Sequence, residues 1–303
     1  MLIADIGGTR ARFGVSSAPG VIDRLLERDT GAATLEETIA EVQGLFGAEA
    51  IGSRAAIAVA APVGDGDVTL TNNNWLFNRA SLSGLLGGAE VLLINDFEAV
   101  GYALPHLSAA EIEVLSAGVD DNDAPKLVIG PGTGLGVATY VPTSSGGVVL
   151  AGEGGHVTLA ARTGEEDAIL LRMRTRFPHV SAERVISGMG LETLHDVRCG
   201  LKMSAAEIAR AARAGIPDAL STVHVFTDFF AGVCADAVLT TGARGGLYLT
   251  GGVLSGLGAA FEPARFLKRF TDKGRFSGYL ADVPVRRITH AQPGLLGLTA
   301  LNP

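Results

Sequence analysis

The residues that could do chemistry are few and clustered. Val91-Leu92-Leu93-Ile94-Asn95-Asp96 runs an apolar strand into an amide and a carboxylate. A carboxylate at the end of a buried strand lies at a sheet edge, where open α/β sheets take their ligands. There it can accept a proton. A helix cap is the plainer reading, because Asp or Asn before an apolar run commonly accepts from the next turn's N–H groups. Two glycine turns shift the balance. Gly7-Gly8-Thr9 and Gly132-Thr133-Gly134 each offer bare backbone N–H groups and a hydroxyl, a donor set suited to phosphate oxygens. Asp5, just ahead of the first turn, could hold Mg²⁺ through water, since magnesium needs few carboxylates beside substrate phosphates. Gly152-Glu153-Gly154-Gly155-His156 sets a carboxylate and an imidazole among glycines. That suits hydrogen bonding to a polyol whose approach the bare backbone allows.

Several other chemistries are disfavoured. No Gly-Lys-Ser/Thr occurs, so there is no Walker A loop. Gly130-x-Gly132 is followed at the required position by Leu135, which breaks the dinucleotide fingerprint and argues against a nicotinamide enzyme. A nucleotide is therefore expected to be ATP held by the two hairpins. Glu-x-x-His occurs at Glu153/His156 and again at Glu192/His195. A di-iron bundle would need both copies on helices plus two more glutamates, and Gly154-Gly155 opposes a helix. His195 is expected on a helix surface.

Positioning these groups requires strands and helices around a sizeable core. The chain has 303 residues, 47% of them hydrophobic, which suits two domains or one bilobed one. A net charge of −8 argues against nucleic acid. Cys199 and Cys234 lack metal spacing and are expected as free thiols in a reducing cytosol. No secretory leader pattern opens the sequence. The apolar stretch from Ala219 to Thr241 carries His224, Asp228 and Asp236 and reads as a core helix, not a membrane span.

The pattern predicts strands over Leu2–Ile6 and Ala11–Val15 about the first turn, with Arg12 facing away from the core side. Strands over 126–130 and 135–140 flank the second turn. This recurrence suggests two related half-units. Further strands are expected over 55–60 (closed by Pro62), 91–94, 247–250 and 283–288. Thr71 to Trp75 reads as a loop, with Trp75 as a packing anchor. Thr34-x-x-Glu37, Ser108-x-x-Glu111 and Ser204-x-x-Glu207 are capping-box patterns, and Asn78 is placed to cap a short helix. From Gly164 onward the chain reads as mostly helical. Pro293 opens a last helix.

In order along the chain stand Asp5-Ile6-Gly7-Gly8-Thr9, Asn95-Asp96, Gly130-Pro131-Gly132-Thr133-Gly134-Leu135-Gly136, Gly152-Glu153-Gly154-Gly155-His156, Ala182-Glu183-Arg184-Val185-Ile186-Ser187-Gly188 and Thr250-Gly251-Gly252. In this the chain resembles the bacterial glucokinases over nearly its whole length. The resemblance implies the non-zinc branch of the actin/hexokinase-type sugar kinases. Their fold is α/β, two-lobed and ribonuclease-H-like, with an interlobe cleft. It implies a small lobe of residues 1–106 plus 290–303 and a large lobe of 107–289. It also implies an ATP- and Mg²⁺-dependent, cytoplasmic hexose kinase that makes glucose 6-phosphate for glycolysis. The expected state is a homodimer with no nucleic-acid or membrane partner.

Carried over residue by residue, Asp96 is the general base, and Asn95, Glu153, His156 and Glu183 bind the sugar. Gly7, Gly8, Thr9, Gly132, Thr133 and Gly134 form the phosphate turns. Gly251 and Gly252 form the adenosine-side turn, and Asp5 is the metal-side carboxylate. Arg10 stands where the family commonly has Asn, and Met189 departs from the residues usual after Gly188. The alternatives are a hexose kinase with another sugar or donor preference, or a catalytically weak sugar sensor. An actin-like filament or chaperone ATPase would have no use for Glu153, His156 and Glu183.

Overall fold

The computed structural model describes residues 1–47, 51–61, 63–64, 66–69, 75–144 and 146–301. Its strands, in chain order, are β1 (Leu2–Ile6), β2 (Arg10–Val15), β3 (Arg24–Asp29), β4 (Arg54–Val59), β5 (Val68–Thr69), β6 (Leu76–Phe77), β7 (Glu90–Asn95), β8 (Ile112–Ser116), β9 (Lys126–Pro131), β10 (Leu135–Thr143), β11 (Gly146–Gly152), β12 (Gly246–Leu249) and β13 (Val285–Ile288). Five of them form one mixed sheet ordered β3-β2-β1-β4-β7. A second mixed sheet is ordered β11-β10-β9-β12-β13-β8, and β5 pairs with β6 alone. The first order is matched strand for strand by β11-β10-β9-β12-β13. The expected recurrence of the hairpin is thus a recurrence of a whole sheet.

The chain packs into two compact units. One comprises Met1–Glu111, Gly147–Ala151 and His290–Pro303; the other comprises Ile112–Gly146 and Gly152–Thr289. In the first unit β1 alternates strictly. Leu2, Ala4 and Ile6 enter a core with Ile39, Val42 and Leu82, which lie on the helices Leu35–Phe46 and Arg79–Leu85. Ile3 faces the other way, into a cluster with Ala99, Leu295 and Leu298. The period of two therefore puts Asp5 on the face of Ile3, beside the helices Asp96–Ala103 and Pro293–Thr299. These two helices touch backbone to backbone. A Cβ at Gly297 would run into the carbonyl oxygen of Ala99.

The second unit is built on the long helix Pro217–Thr241. Val223, Phe226, Phe230, Cys234 and Val238 on it are buried against strand residues such as Leu127 and Leu247. This helix is long and apolar enough to cross a membrane by composition alone, but it is a core helix. Phe230, Phe266 and Phe270 stack in series between it and the helix Pro263–Thr271.

Some expectations are corrected. Ser108-x-x-Glu111 closes only a 3-10 turn, Ala109–Glu111, because the chain goes straight on into β8. His195 is not on a helix surface. It is 1% exposed, its Nδ1 is 2.9 Å from the Thr222 hydroxyl, and it packs inward from the helix Gly188–Cys199. Pro62 and the stretch Thr71 to Asn74 lie outside the described residues. Trp75 is buried, and its indole N–H donates to the Ala33 carbonyl at 3.1 Å. Cys199 and Cys234 are free thiols.

Candidate active site

In the first unit β1, β4 and β7 run parallel, so their C-terminal ends share one sheet edge. Asp5, Ala58 and Ile94 stand in one row, and Asn95 follows in the next. The helix after β7 begins at Asp96, and its cap is Asn95. The Asn95 Oδ1 accepts from the N–H groups of Phe97 (2.9 Å) and Glu98 (3.3 Å). Capping thus falls mainly to the amide, with the Phe97 N–H shared between it and the carboxylate. Asp96 Oδ1 accepts from the Phe97 N–H at 2.9 Å. Burial raises the Asp96 carboxyl from 3.8 to about 6, and the negative charge of Asp5 adds to the rise. Hydrogen bonds from the Phe97 N–H and the Asn95 amide hold it back. Asp5 is itself pushed up by burial, against the pull of the Arg12 guanidinium 3.5 Å away.

The first glycine turn sits at the same edge. Its Gly7 N–H donates to the Arg10 carbonyl, while the carbonyls of Gly8 and Thr9 accept from the Thr30 hydroxyl and N–H. Among the described residues these bonds leave the N–H groups of Gly8 and Thr9 without a partner, as a phosphate cradle requires. Arg10 points into solvent and pairs with Glu27 at 2.9 Å, so it does not cover the turn.

The second unit repeats the device. β9 and β12 are parallel, with Leu249 at the end of β12 opposite Ile129, two residues before the end of β9. In the turn between β9 and β10 the Gly132 N–H donates to the Gly134 carbonyl at 2.8 Å. Thr133 is exposed. Gly251, at φ +106°, lies against Pro131, whose carbonyl oxygen a Cβ would strike. Gly252 then opens a six-residue helix. Glu183 reaches back to the same turn, where its Oε2 accepts from the Leu135 N–H at 2.8 Å. Glu153 and His156, in and beside the 3-10 turn Gly154–His156, are 68% and 60% exposed, with Nε2 and Oε2 3.8 Å apart. Among the described residues no ion pair other than this contact ties the two side chains down, so both are available to a ligand.

Sequence reasoning missed Arg12 as the partner of Asp5, and although Ser187 and Gly188 stand in the motif that carries the resemblance, it gave them no role behind the second turn. A basic residue directly across a hairpin from Asp5 was the available signal for the first. The others have no local signature. Among the described residues no three His, Cys, Asp or Glu side chains gather as a ready metal cage. Magnesium does not need one. A buried carboxylate that raises its neighbour's proton affinity gains from a nearby cation, and phosphate oxygens and water complete the shell. The donor chemistry at Asp5 therefore fits Mg²⁺.

Paired sheets of matching order, each presenting a glycine hairpin at its carboxyl edge, define the α/β fold of the actin/hexokinase-like proteins. A ROK family glucokinase from Streptomyces griseus, in complex with glucose and AMPPNP, shares the fold with a TM-score of 0.64 at 18% identity, over 99% of this chain and 98% of that one. A glucokinase from an Antarctic psychrotroph superposes with a TM-score of 0.89 at 33% identity, covering 99% of this chain and 97% of that one. The glucokinase of Aromatoleum aromaticum is 42% identical over 99% of this chain and 94% of its own length. That of Chromobacterium violaceum is 39% identical over 99% and 88%. The family model described as Glucokinase matches residues 2–302. The chain belongs to the glucokinase family, enzymes that phosphorylate glucose with ATP.

Proposed function

We propose that this chain transfers the γ-phosphoryl group of ATP to the 6-hydroxyl of D-glucose, with Asp96 as general base. The observation that carries this is the place of Asp96, buried directly after β7 at the carboxyl edge of the parallel strands, where burial raises its carboxyl to about 6, within reach of neutral pH as a base requires. The Phe97 N–H on Oδ1 fixes the carboxylate, which takes the hydroxyl proton. The sugar oxygen forms the new bond to phosphorus, the bond to the β,γ-bridging oxygen breaks, and ADP leaves. Asn95, Glu153, His156 and Glu183 hold sugar hydroxyls, with Asn95 also fixing the helix that carries Asp96. The turns Gly7-Gly8-Thr9 and Gly132-Thr133-Gly134 bind phosphate oxygens through the N–H groups of Gly8, Thr9, Thr133 and Gly134 and the two threonine hydroxyls, while the N–H groups of Gly7 and Gly132 close the turns. Gly251 and Gly252 bear on the adenosine. Mg²⁺ at Asp5, when bound, supplies charge neutralisation on the phosphates. Phosphoryl transfer asks mostly for such positioning and charge stabilisation.

The same reading makes the protein a cytoplasmic homodimer that feeds glycolysis and binds neither nucleic acid nor membrane. The net charge of −8 supports the first exclusion, and the packing of the helix Pro217–Thr241 in the core supports the second. The test is a coupled assay for ADP release over a panel of hexoses. Glucose is expected to give the highest kcat/KM. No hexose-dependent ADP release would sink the proposal.

A further inference from the structure

The residues read as sugar ligands in the second unit are built onto the phosphate turn. Glu183 Oε2 accepts from the Leu135 N–H at 2.8 Å, and a Cβ at Gly134 would run into that same oxygen. The Gly188 N–H donates to the Gly132 carbonyl at 2.9 Å. Ser187, buried between these links, donates from Oγ to the Glu183 carbonyl at 2.9 Å and accepts from the Gly190 N–H at 2.9 Å. The segment from Glu183 to Gly188 therefore grips the turn at both of its ends. The segment carrying Glu153 and His156 rests on the strand leaving the turn. A Cβ at Gly155 would strike the Leu135 carbonyl oxygen, and one at Gly154 would crowd Val137 at 3.1 Å. Every one of these contacts lies within the second unit.

We propose that Glu183 serves both substrates: Oε2 anchors the second phosphate turn while Oε1 meets the sugar, so nucleotide and glucose strengthen each other's binding through this one carboxylate. The proposal rests on the reading of Glu183 as a sugar ligand. A sugar hydroxyl on Oε1 fixes the carboxylate plane and so fixes Oε2 under the Leu135 N–H. Phosphate on the turn fixes Leu135 and so orients Oε1. Linkage requires the effect to be reciprocal, with each ligand tightening the other by one common factor. Ser187 and Gly188 act as positioning residues that keep the two sides in register.

Calorimetry with Mg·ADP and with glucose, each alone and each in the presence of the other, tests this. In the wild type each ligand should tighten the other by the same factor, at least about fivefold, as coupled sites commonly do. Glu183→Ala should weaken Mg·ADP about five- to tenfold with no glucose present, because the Leu135 N–H loses a charged acceptor. Glu183→Gln should restore Mg·ADP affinity, since the amide oxygen still accepts that bond, and leave glucose weak. His156→Ala should weaken glucose without moving Mg·ADP. Gly134→Ala, a change in the phosphate turn, should weaken glucose at least about fivefold with no nucleotide present, by displacing Glu183. Wild-type Mg·ADP affinity in Glu183→Ala overturns the bridge. So does wild-type glucose affinity in Gly134→Ala. Wild-type glucose affinity in Glu183→Ala instead removes Glu183 from the sugar site. If Glu183→Ala does not fold, Gly134→Ala decides the question alone.

Discussion

Asp96→Asn removes a charge and keeps the shape of the side chain. Burial and the neighbouring Asp5 raise the native carboxyl from 3.8 to about 6. At about 1.4 kcal/mol per tenfold in proton affinity, that difference corresponds to roughly 3 kcal/mol. An acid raised by folding holds its proton more tightly in the native state. The penalty is therefore absent below pH 3.8, grows up to about 6 and is full above it. Asparagine never ionises. At pH 8 the variant is expected to gain about 1–3 kcal/mol, the lower figure allowing for the amide's own burial. The helix keeps its cap, because that cap is Asn95. Meanwhile kcat should fall on the order of 10²–10⁴, the usual contribution of a positioned general base. Urea unfolding at pH 8 and near pH 4, beside kcat and a glucose titration, measures all of this. The stability gain should shrink toward zero at the acid end. A variant less stable than wild type at pH 8, or equally improved at both pH values, would refute the argument from buried charge. Retention of more than about a tenth of kcat would take Asp96 out of the chemistry.

In the wild type kcat/KM should be flat above about pH 6 and fall tenfold per pH unit below it, because the base must be ionised to act; a profile flat down to pH 5 would contradict this. Asn95→Ala strips the acceptor from the Glu98 N–H and leaves the Phe97 N–H to Asp96 alone, and should cost about 1 kcal/mol in urea while lowering kcat through a looser Asp96. His156→Ala should raise the glucose KM roughly tenfold or more with an unchanged melting temperature, since the side chain is mostly exposed. Arg269→Ala should cost about 3–5 kcal/mol, because Glu166, 3% exposed, would lose its ion-pair partner and keep only the Arg162 N–H on Oε2; equilibrium unfolding checks it.

Local features were legible where a short-range bond dictates them. Thr34 and Glu37 form a reciprocal capping box ahead of Leu35–Phe46, and Ser204 and Glu207 form another ahead of Ala205–Arg213. Asn78 caps Arg79–Leu85 as its spacing suggests. The glycine turns announce their hairpins because glycine and a hydroxyl residue between apolar runs leave little else. Edge strands were not legible. β3 reads Arg24-Leu25-Leu26-Glu27-Arg28-Asp29, charged and largely exposed, and only its pairing with β2 makes it a strand. β8 was hidden behind a capping pattern for the same reason. His195 was misread because nothing local reveals that the helix Pro217–Thr241 brings Thr222 against it. The link from Glu183 to Leu135 spans 48 positions, and periodicity carries no information over that distance.

Cys234 is fully buried within the helix Pro217–Thr241, where burial pushes its thiol well above the ordinary range. Cys199 ends the helix Gly188–Cys199 and is partly exposed. The two thiols therefore form a natural stopwatch. An alkylating reagent will cap Cys199 early, and Cys234 only when the long helix comes away from the aromatic stack. The mass spectrum of the untagged protein would then read the opening rate of the second unit directly, as the lag between the first adduct and the second. Adding glucose or nucleotide during the labelling would show how far each ligand slows that clock.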